Sequence, residues 1–197
     1  MILVAAMAVV LAAVWIRGGR LSRLGALQLR LPGLAIGAVA IQVVLLQALP
    51  ASTPWGLSVA VHLASYGLAL WFVAANRHVS GLWLIAVGGM LNLVVIAANG
   101  GVMPANAAAL AAVGRDVDPT TYANAAPISG AHLSLLGDVV PVPGPYPLGN
   151  VVSIGDVLLV AGAALLIHRA CVYEPATAAT ASSNPGKNRS GRVTHTA

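Results

Sequence analysis

Apolar residues run almost unbroken through five stretches of the chain, at about 2–16, 32–49, 56–75, 82–98 and 154–169. The first four carry no charged residue, whereas helices that border water present a charged or polar face. Each stretch approaches the roughly 20 residues that cross a ~30 Å hydrocarbon slab, the first being short. The pattern predicts an all-α integral membrane protein with five transmembrane helices. Residues 1–169 form that domain, and residues 170–197, rich in Ala, Thr, Ser, Asn and Gly, form a cytoplasmic tail expected to be disordered.

The segments between the runs differ in charge. A connector carries Arg17, Arg20, Arg23 and Arg30, a short loop carries Arg77, and Arg169 leads into a tail with Lys187, Arg189 and Arg192. If loops alternate sides, these nine cations share one compartment, and the long segment 99–152 on the other side holds Arg115 with Asp116, Asp118 and Asp138. The positive-inside rule then makes the chain N-out and C-in, with 99–152 an extracytoplasmic loop. Trp15, Trp71 and Trp83 fall near the inner interface and Trp55 near the outer one, as headgroup-level anchors do. No positive n-region precedes Met1–Ile16, which reads as a retained membrane segment.

Composition narrows the function classes. The chain is 58% hydrophobic and 8% charged, with mean hydropathy +0.87. Its formal net charge of +5 does not point to nucleic acid, because the cations flank apolar runs and no basic patch is interleaved with aromatics. Cys171, the single cysteine, excludes an intrachain disulfide and paired-thiol redox chemistry. No Cys/His metal cluster, phosphate loop or HExxH occurs, so neither metal nor cofactor is expected.

Polar residues inside hydrocarbon are expensive unless paired, which makes the few present informative. Gln42 and Gln47 lie on the second helix, Ser58, His62, Ser65 and Tyr66 on the third, and Asn92 on the fourth. Ser58, His62 and Ser65 or Tyr66 share one helix face. Gln47, His62 and Asn92 fall in the outer half, and Asn99 caps the outer end of the fourth helix. Two readings stand: an outward-facing polar cavity roofed by the loop, or interhelical hydrogen bonding, with Gly33/Gly37 and Gly88/Gly89 letting backbones approach. A bis-histidine haem is poorly served, since no other histidine lies at the depth of His62.

Within the loop, Pro104-Ala-Asn106 followed by Ala107–Val113 and Gly114 spells a short helix with a start and a stop. Pro141-Val-Pro-Gly-Pro-Tyr-Pro147 forces an extended path that can be neither helix nor central strand. Two Gly-Asp pairs, Gly137-Asp138 and Gly155-Asp156, raise an acid/base hypothesis. The Gly-x-Gly-Asp pattern of membrane aspartyl proteases is incomplete, because Leu135 and Ser153 replace its first glycine. Ser153-Ile-Gly-Asp156 is a capping box for the fifth helix, which gives Asp156 a structural role. Asp138 has no such role and is the candidate catalytic residue, with a turn-stabilising aspartate the competing account. Candidate ligand-binding residues are His62, Asn92, Asn99, Asp138 and Gln47.

The motifs Gly18-Gly-Arg-Leu21, Asn99-Gly-Gly-Val-Met-Pro104, Leu136-Gly-Asp-Val-Val-Pro-Val-Pro143 and Ser153-Ile-Gly-Asp156 resemble a family of bacterial multi-pass membrane proteins with a domain of unknown function. The resemblance covers about residues 1–169 and implies the bacterial cytoplasmic (inner) membrane. It brings no catalytic residues. The leading expectation is a non-enzymatic accessory or ligand- or lipid-binding protein, with a membrane protein or lipid-like ligand as partner beside the bilayer itself. A small-molecule transporter component, or an enzyme acting on a lipid or isoprenoid at the outer leaflet, are the alternatives, and the sequence leaves enzyme status open.

Overall fold

The computed structural model describes residues 2–47, 53–115, 125–144 and 149–172. Five long helices occupy the apolar runs: α1 (Ile2–Ile16), α2 (Pro32–Gln47), α3 (Trp55–Ala75), α4 (Leu82–Ala98) and, after the short α5 (Ala107–Ala112), α6 (Ile154–Val172). The molecule is mostly helical. Trp55–Ala75 and Ile154–Val172 are long and apolar enough to cross a membrane, and Ala6–Ile16, Pro32–Leu45 and Leu82–Ala98 are shorter apolar segments. The predicted tail lies outside the described residues from 173 onward.

The helices pack in a row whose order differs from the chain order: α1 on α6, α6 on α4, α4 on α3 and α3 on α2. The closest junction is α4 with α6, which run antiparallel. Two glycine pairs make it. A Cβ built on Gly88 would lie 2.5 Å from the Gly155 carbonyl oxygen, and one built on Gly162 would lie 2.7 Å from that of Gly81. Each pair sits seven residues from the other along both helices, two turns apart, so the backbones touch on one continuous stripe. The expectation for the other glycines needs correcting. Gly33 and Gly37 face open space, and Gly89 meets only the tip of Leu70 at 4.0 Å.

Helix ends are closed by local chemistry. α1 stops in a Schellman turn: Gly18, at φ +72°, donates to the Trp15 carbonyl at 3.0 Å and Gly19 to the Val14 carbonyl at 2.9 Å. The turn carries Arg20 back onto α6, where its N–H donates to the Cys171 carbonyl at 3.1 Å and the Arg23 guanidinium donates to the same oxygen at 3.2 Å. At the end of α3, the fully buried Asn76 accepts from the Arg30 N–H at 2.7 Å and donates to the carbonyls of Arg30 and Phe72, each at 2.8 Å. Nothing in the sequence marked Asn76, because its main partner lies 46 residues away.

The all-α expectation is corrected in the loop, whose described residues include four short strands. β1 (Met103–Pro104) pairs parallel with β2 (Ala125–Ala126), and Ala105 forms a further parallel bridge with Asp138 on its other side. β3 (Val140–Val142) pairs antiparallel with β4 (Asn150–Val152), Pro141 facing Val151. A two-stranded ribbon has only edges, so Pro141 can join it without leaving a ladder bond unmade in a sheet interior. Residues 145–148 of the proline run lie outside the described residues. The loop has a small core of Ala105, Ala109, Leu110 and Val151, and Met103 and Leu136 dock it on Val95 and Ile96 of α4 beside Leu63 and Tyr66 of α3.

Candidate functional site

The loop is held on the helix ends by polar side chains. α6 begins with a reciprocal cap in which the Asp156 N–H donates to Ser153 Oγ at 3.0 Å and the Ser153 N–H donates to Asp156 Oδ2 at 3.2 Å. Asn92 of α4 closes a ring with this pair. Its Nδ2 donates to Asp156 Oδ1 at 2.9 Å, and its Oδ1 accepts from Ser153 Oγ at 3.0 Å. Asn92 and Ser153 are buried, and the two helices approach closely enough to bond because Gly155 offers no Cβ against Asn92. A helix start that needs only a cap is thus also the clasp between α4 and α6.

Asp138 sits next to this clasp. The ribbon register, Val140 opposite Val152, brings the residues before β3 alongside those that open α6. Its backbone is fixed on both sides: the Asp138 N–H donates to the Pro104 carbonyl at 2.9 Å, and its carbonyl accepts from the Asn106 N–H at 2.8 Å. Gly137 is needed just before it, since a Cβ there would run into the Pro104 carbonyl. Burial raises the Asp138 carboxyl from its ordinary 3.8 to about 7; the nearby Asp156 carboxylate adds to the rise and Arg115 opposes it. Arg115 is itself engaged, donating to Asn150 Oδ1. A carboxyl in that range exchanges protons at neutral pH, which an ordinary aspartate does not.

The other candidates are placed elsewhere. Asn99 clamps the loop at His132, donating to its carbonyl and accepting from its N–H, both at 2.9 Å. Its Nδ2 also donates to the Val95 carbonyl at 2.7 Å. His62 is buried and stacks on Tyr66, ring centroids 5.5 Å apart. Ser65 Oγ donates to the His62 carbonyl at 2.6 Å and accepts from Gln42 Nε2 at 3.1 Å, joining α2 to α3. The Gln47 side chain lies outside the described residues. The structure therefore unites Asn92 with Ser153, Asp156 and, through the ribbon, Asp138; Asn99 serves the loop's other edge, and His62 belongs with α3 and its neighbours. A cavity of about 340 Å³ between α2 and α3 is lined by Ala40, Ile41, Val44, Leu45, Leu57, Ser58 and Val61, so it is apolar and apart from the Asp138 cluster.

Sequence reasoning missed Arg115 as a member of the Asp138 surroundings and Asn150 as the acceptor that engages it. The only available signal for Arg115 was that it is the lone cation of the long loop. Among the described residues, no three His, Cys, Asp or Glu side chains gather in a way that could hold a metal ion.

No solved structure matches the chain. An uncharacterized protein of Thermotoga maritima is 33% identical over 109 residues, 55% of this chain and 62% of that relative. The chain thus spans less than two thirds of the relative's length. Residues 26–168, which take in α2 to α5, the loop and most of α6 but not α1, match a family of unknown function, DUF5317. The chain belongs to that family.

Proposed function

We propose that this protein is a five-span protein of the bacterial cytoplasmic membrane, N-out and C-in, whose folded extracytoplasmic loop and the polar cluster beneath it hold a partner or a lipid-like ligand without catalysis. One observation carries the reading: the loop is a built unit, with its own core, tied within itself at Asp138 and seated on the helices through Asn92, Asn99 and Ser153. A mere connector would need none of this, and ordered long loops tend to serve a function.

The distribution of side chains supports the membrane. Val9, Ile36, Val39, Trp71, Trp83 and Val157 are more than half exposed, while Ser58, His62, Ser65, Asn76 and Asn92 are buried. Only 28% of the apolar window of α3 and 17% of that of α6 is buried, whereas a core helix of a soluble protein is covered on most sides. Lipid is the solvent that suits such a surface. Orientation follows from charge: the arginines of the connector, of the Arg77 loop and of the α6 end lie at one end of the row, and Arg115, Asp138 and Asp156 lie at the other.

A second reading has its own observation. An Asp138 carboxyl held near 7 is fit for general acid or base work, which favours an enzyme acting on a lipid or isoprenoid at the outer leaflet. Two experiments test these readings. In a Cys171→Ser background, a cysteine at Ala112 is expected to label from outside whole cells and one at Ser183 only after permeabilisation; the reverse pattern overturns the orientation. Native mass spectrometry of gently extracted protein is expected to find a stoichiometric protein partner or discrete ligand that is kept by Asp138→Asn and lost when the loop is deleted. A small molecule lost from Asp138→Asn, and converted on incubation with wild type, overturns the accessory reading in favour of the enzyme.

A further inference from the structure

The end of the helix row opposite the loop is assembled as deliberately as the loop, and out of arginine. The Schellman turn at Gly18 and Gly19 follows Arg17 at the end of α1 and brings Arg20 onto the last turn of α6, where the Arg20 N–H meets the Cys171 carbonyl. In the same last turn of α6, Arg169 reaches across to Ser80 Oγ at 3.2 Å, beside the start of α4. Asn76 holds the connector against the end of α3, which sets Arg30 beside Arg77. The C-terminal ends of α1, α3 and α6 therefore gather Arg17, Arg20, Arg30, Arg77 and Arg169, and all five side chains are exposed.

Among the described residues the carboxylates are Asp138 and Asp156, and both belong to the loop end. Beside the arginines stand Trp15 of α1, Trp71 of α3 and Trp83 of α4, exposed by 74%, 61% and 60%. Indole rings with an apolar body and an N–H prefer the headgroup level of a bilayer. Guanidinium is the side chain best matched to phosphate, which it can grip with two parallel N–H bonds.

We infer that the arginine end is a binding platform for anionic phospholipid headgroups, with Arg17 and Arg20 at the α1–α6 junction and Arg169 on the α4 side of α6 as the phosphate donors. The inference rests on the membrane part of the reading above, not on its orientation or on what the loop holds. Charge complementarity selects the occupant, and the tryptophans place it at the depth where phosphodiesters lie. Headgroup phosphates at this end can accept from Arg17 or Arg20 beside α1 and from Arg169 beside α4. A zwitterionic lipid brings a choline or ethanolamine cation into the same arginine field and is disfavoured.

The test is competition between phosphatidylglycerol and phosphatidylcholine of identical acyl chains, supplied in equal amounts to the full-length protein in mixed micelles and read by native mass spectrometry. Wild type is expected to retain phosphatidylglycerol in preference, and each arginine replaced is expected to lower that preference about fivefold. Arg17→Gln with Arg20→Gln is the first variant, because both residues meet α1 and α6 through backbone N–H groups that glutamine keeps. Arg169→Gln, on a different helix, is the second. Equal retention of the two lipids by wild type overturns the inference, as does an unchanged preference in both variants. Displacement of the lipid by millimolar inorganic phosphate, at no greater concentration than phosphatidylglycerol itself requires, would show a free-anion site and overturn it as well. Failure of the protein to enter liposomes would instead overturn the membrane reading, and that result is separable because it precedes any choice between headgroups.

Discussion

Gly88 and Gly89 are neighbours in one helix, and replacing each by alanine adds the same methyl group in opposite circumstances. At position 88 the new Cβ would lie 2.5 Å from the Gly155 carbonyl oxygen, 3.0 Å from Leu158 Cβ and 3.0 Å from Leu159 N. Carbon atoms in good contact settle at about 3.5–4.0 Å, so a gap on the order of 1 Å must open. The obstacles are backbone and Cβ atoms of α6, which no rotamer change can move. The α4–α6 junction must therefore spread, and Asn92, one turn further along α4, is drawn away from Ser153 and Asp156. Overpacking of this kind costs about 1–3 kcal/mol, and two weakened interhelical bonds add about 0.6 kcal/mol each. The better helix propensity of alanine offsets roughly 0.5–1 kcal/mol. The net expectation for Gly88→Ala is a loss of about 1–4 kcal/mol. At position 89 the Cβ meets only Leu70 Cδ2, at the ordinary distance of 4.0 Å. Gly89→Ala should be neutral or gain up to about 1 kcal/mol. Reversible unfolding in detergent, titrated with dodecyl sulfate and followed by helical circular dichroism, separates the two. Coincident midpoints for both variants would refute the claim that α4 and α6 touch at Gly88.

Other consequences follow from the same end of the molecule. Asn92→Ala leaves Ser153 Oγ without its acceptor and Asp156 Oδ1 without its donor, and should lower stability by about 1–3 kcal/mol in the same titration; an unchanged midpoint would show the clasp to be idle. For Asp138 the folded carboxyl titrates at about 7 and the unfolded one near ~3.9. Between those values the folded state binds more protons, so its contribution is fully present below about pH 4, declines as pH rises and is lost above about pH 7. Asp138→Asn should remove that slope and be the more stable protein at alkaline pH; parallel profiles for wild type and variant would contradict the placement of Asp138.

What could be read from the chain was whatever depends on neighbours in sequence. Backbone amides away from water must bond within their own segment, so an apolar run long enough to span lipid has little choice but helix. The glycine pair that ends α1 and the Asn106 that opens α5 act within one turn, as does the pairing of Ser153 with Asp156. Only the tertiary structure decided relations that depend on distant segments. Gly33, Gly37, Gly88 and Gly89 look alike as letters, yet a glycine matters where another backbone approaches, and only Gly88 of the four meets one. Asn76, unremarkable in a polar turn, becomes the anchor of a connector 46 residues away. Part of the candidate site was legible because buried polar groups stand out in apolar runs; Asn92 was among them. Its partners were not, because a side-chain amide bonds whichever helix packs against it, and α6 reaches α4 only by passing over α5 and the whole loop. The strands of the loop stayed hidden for the same reason: two or three residues carry no periodicity, and their pairing is a property of the fold that brings them together.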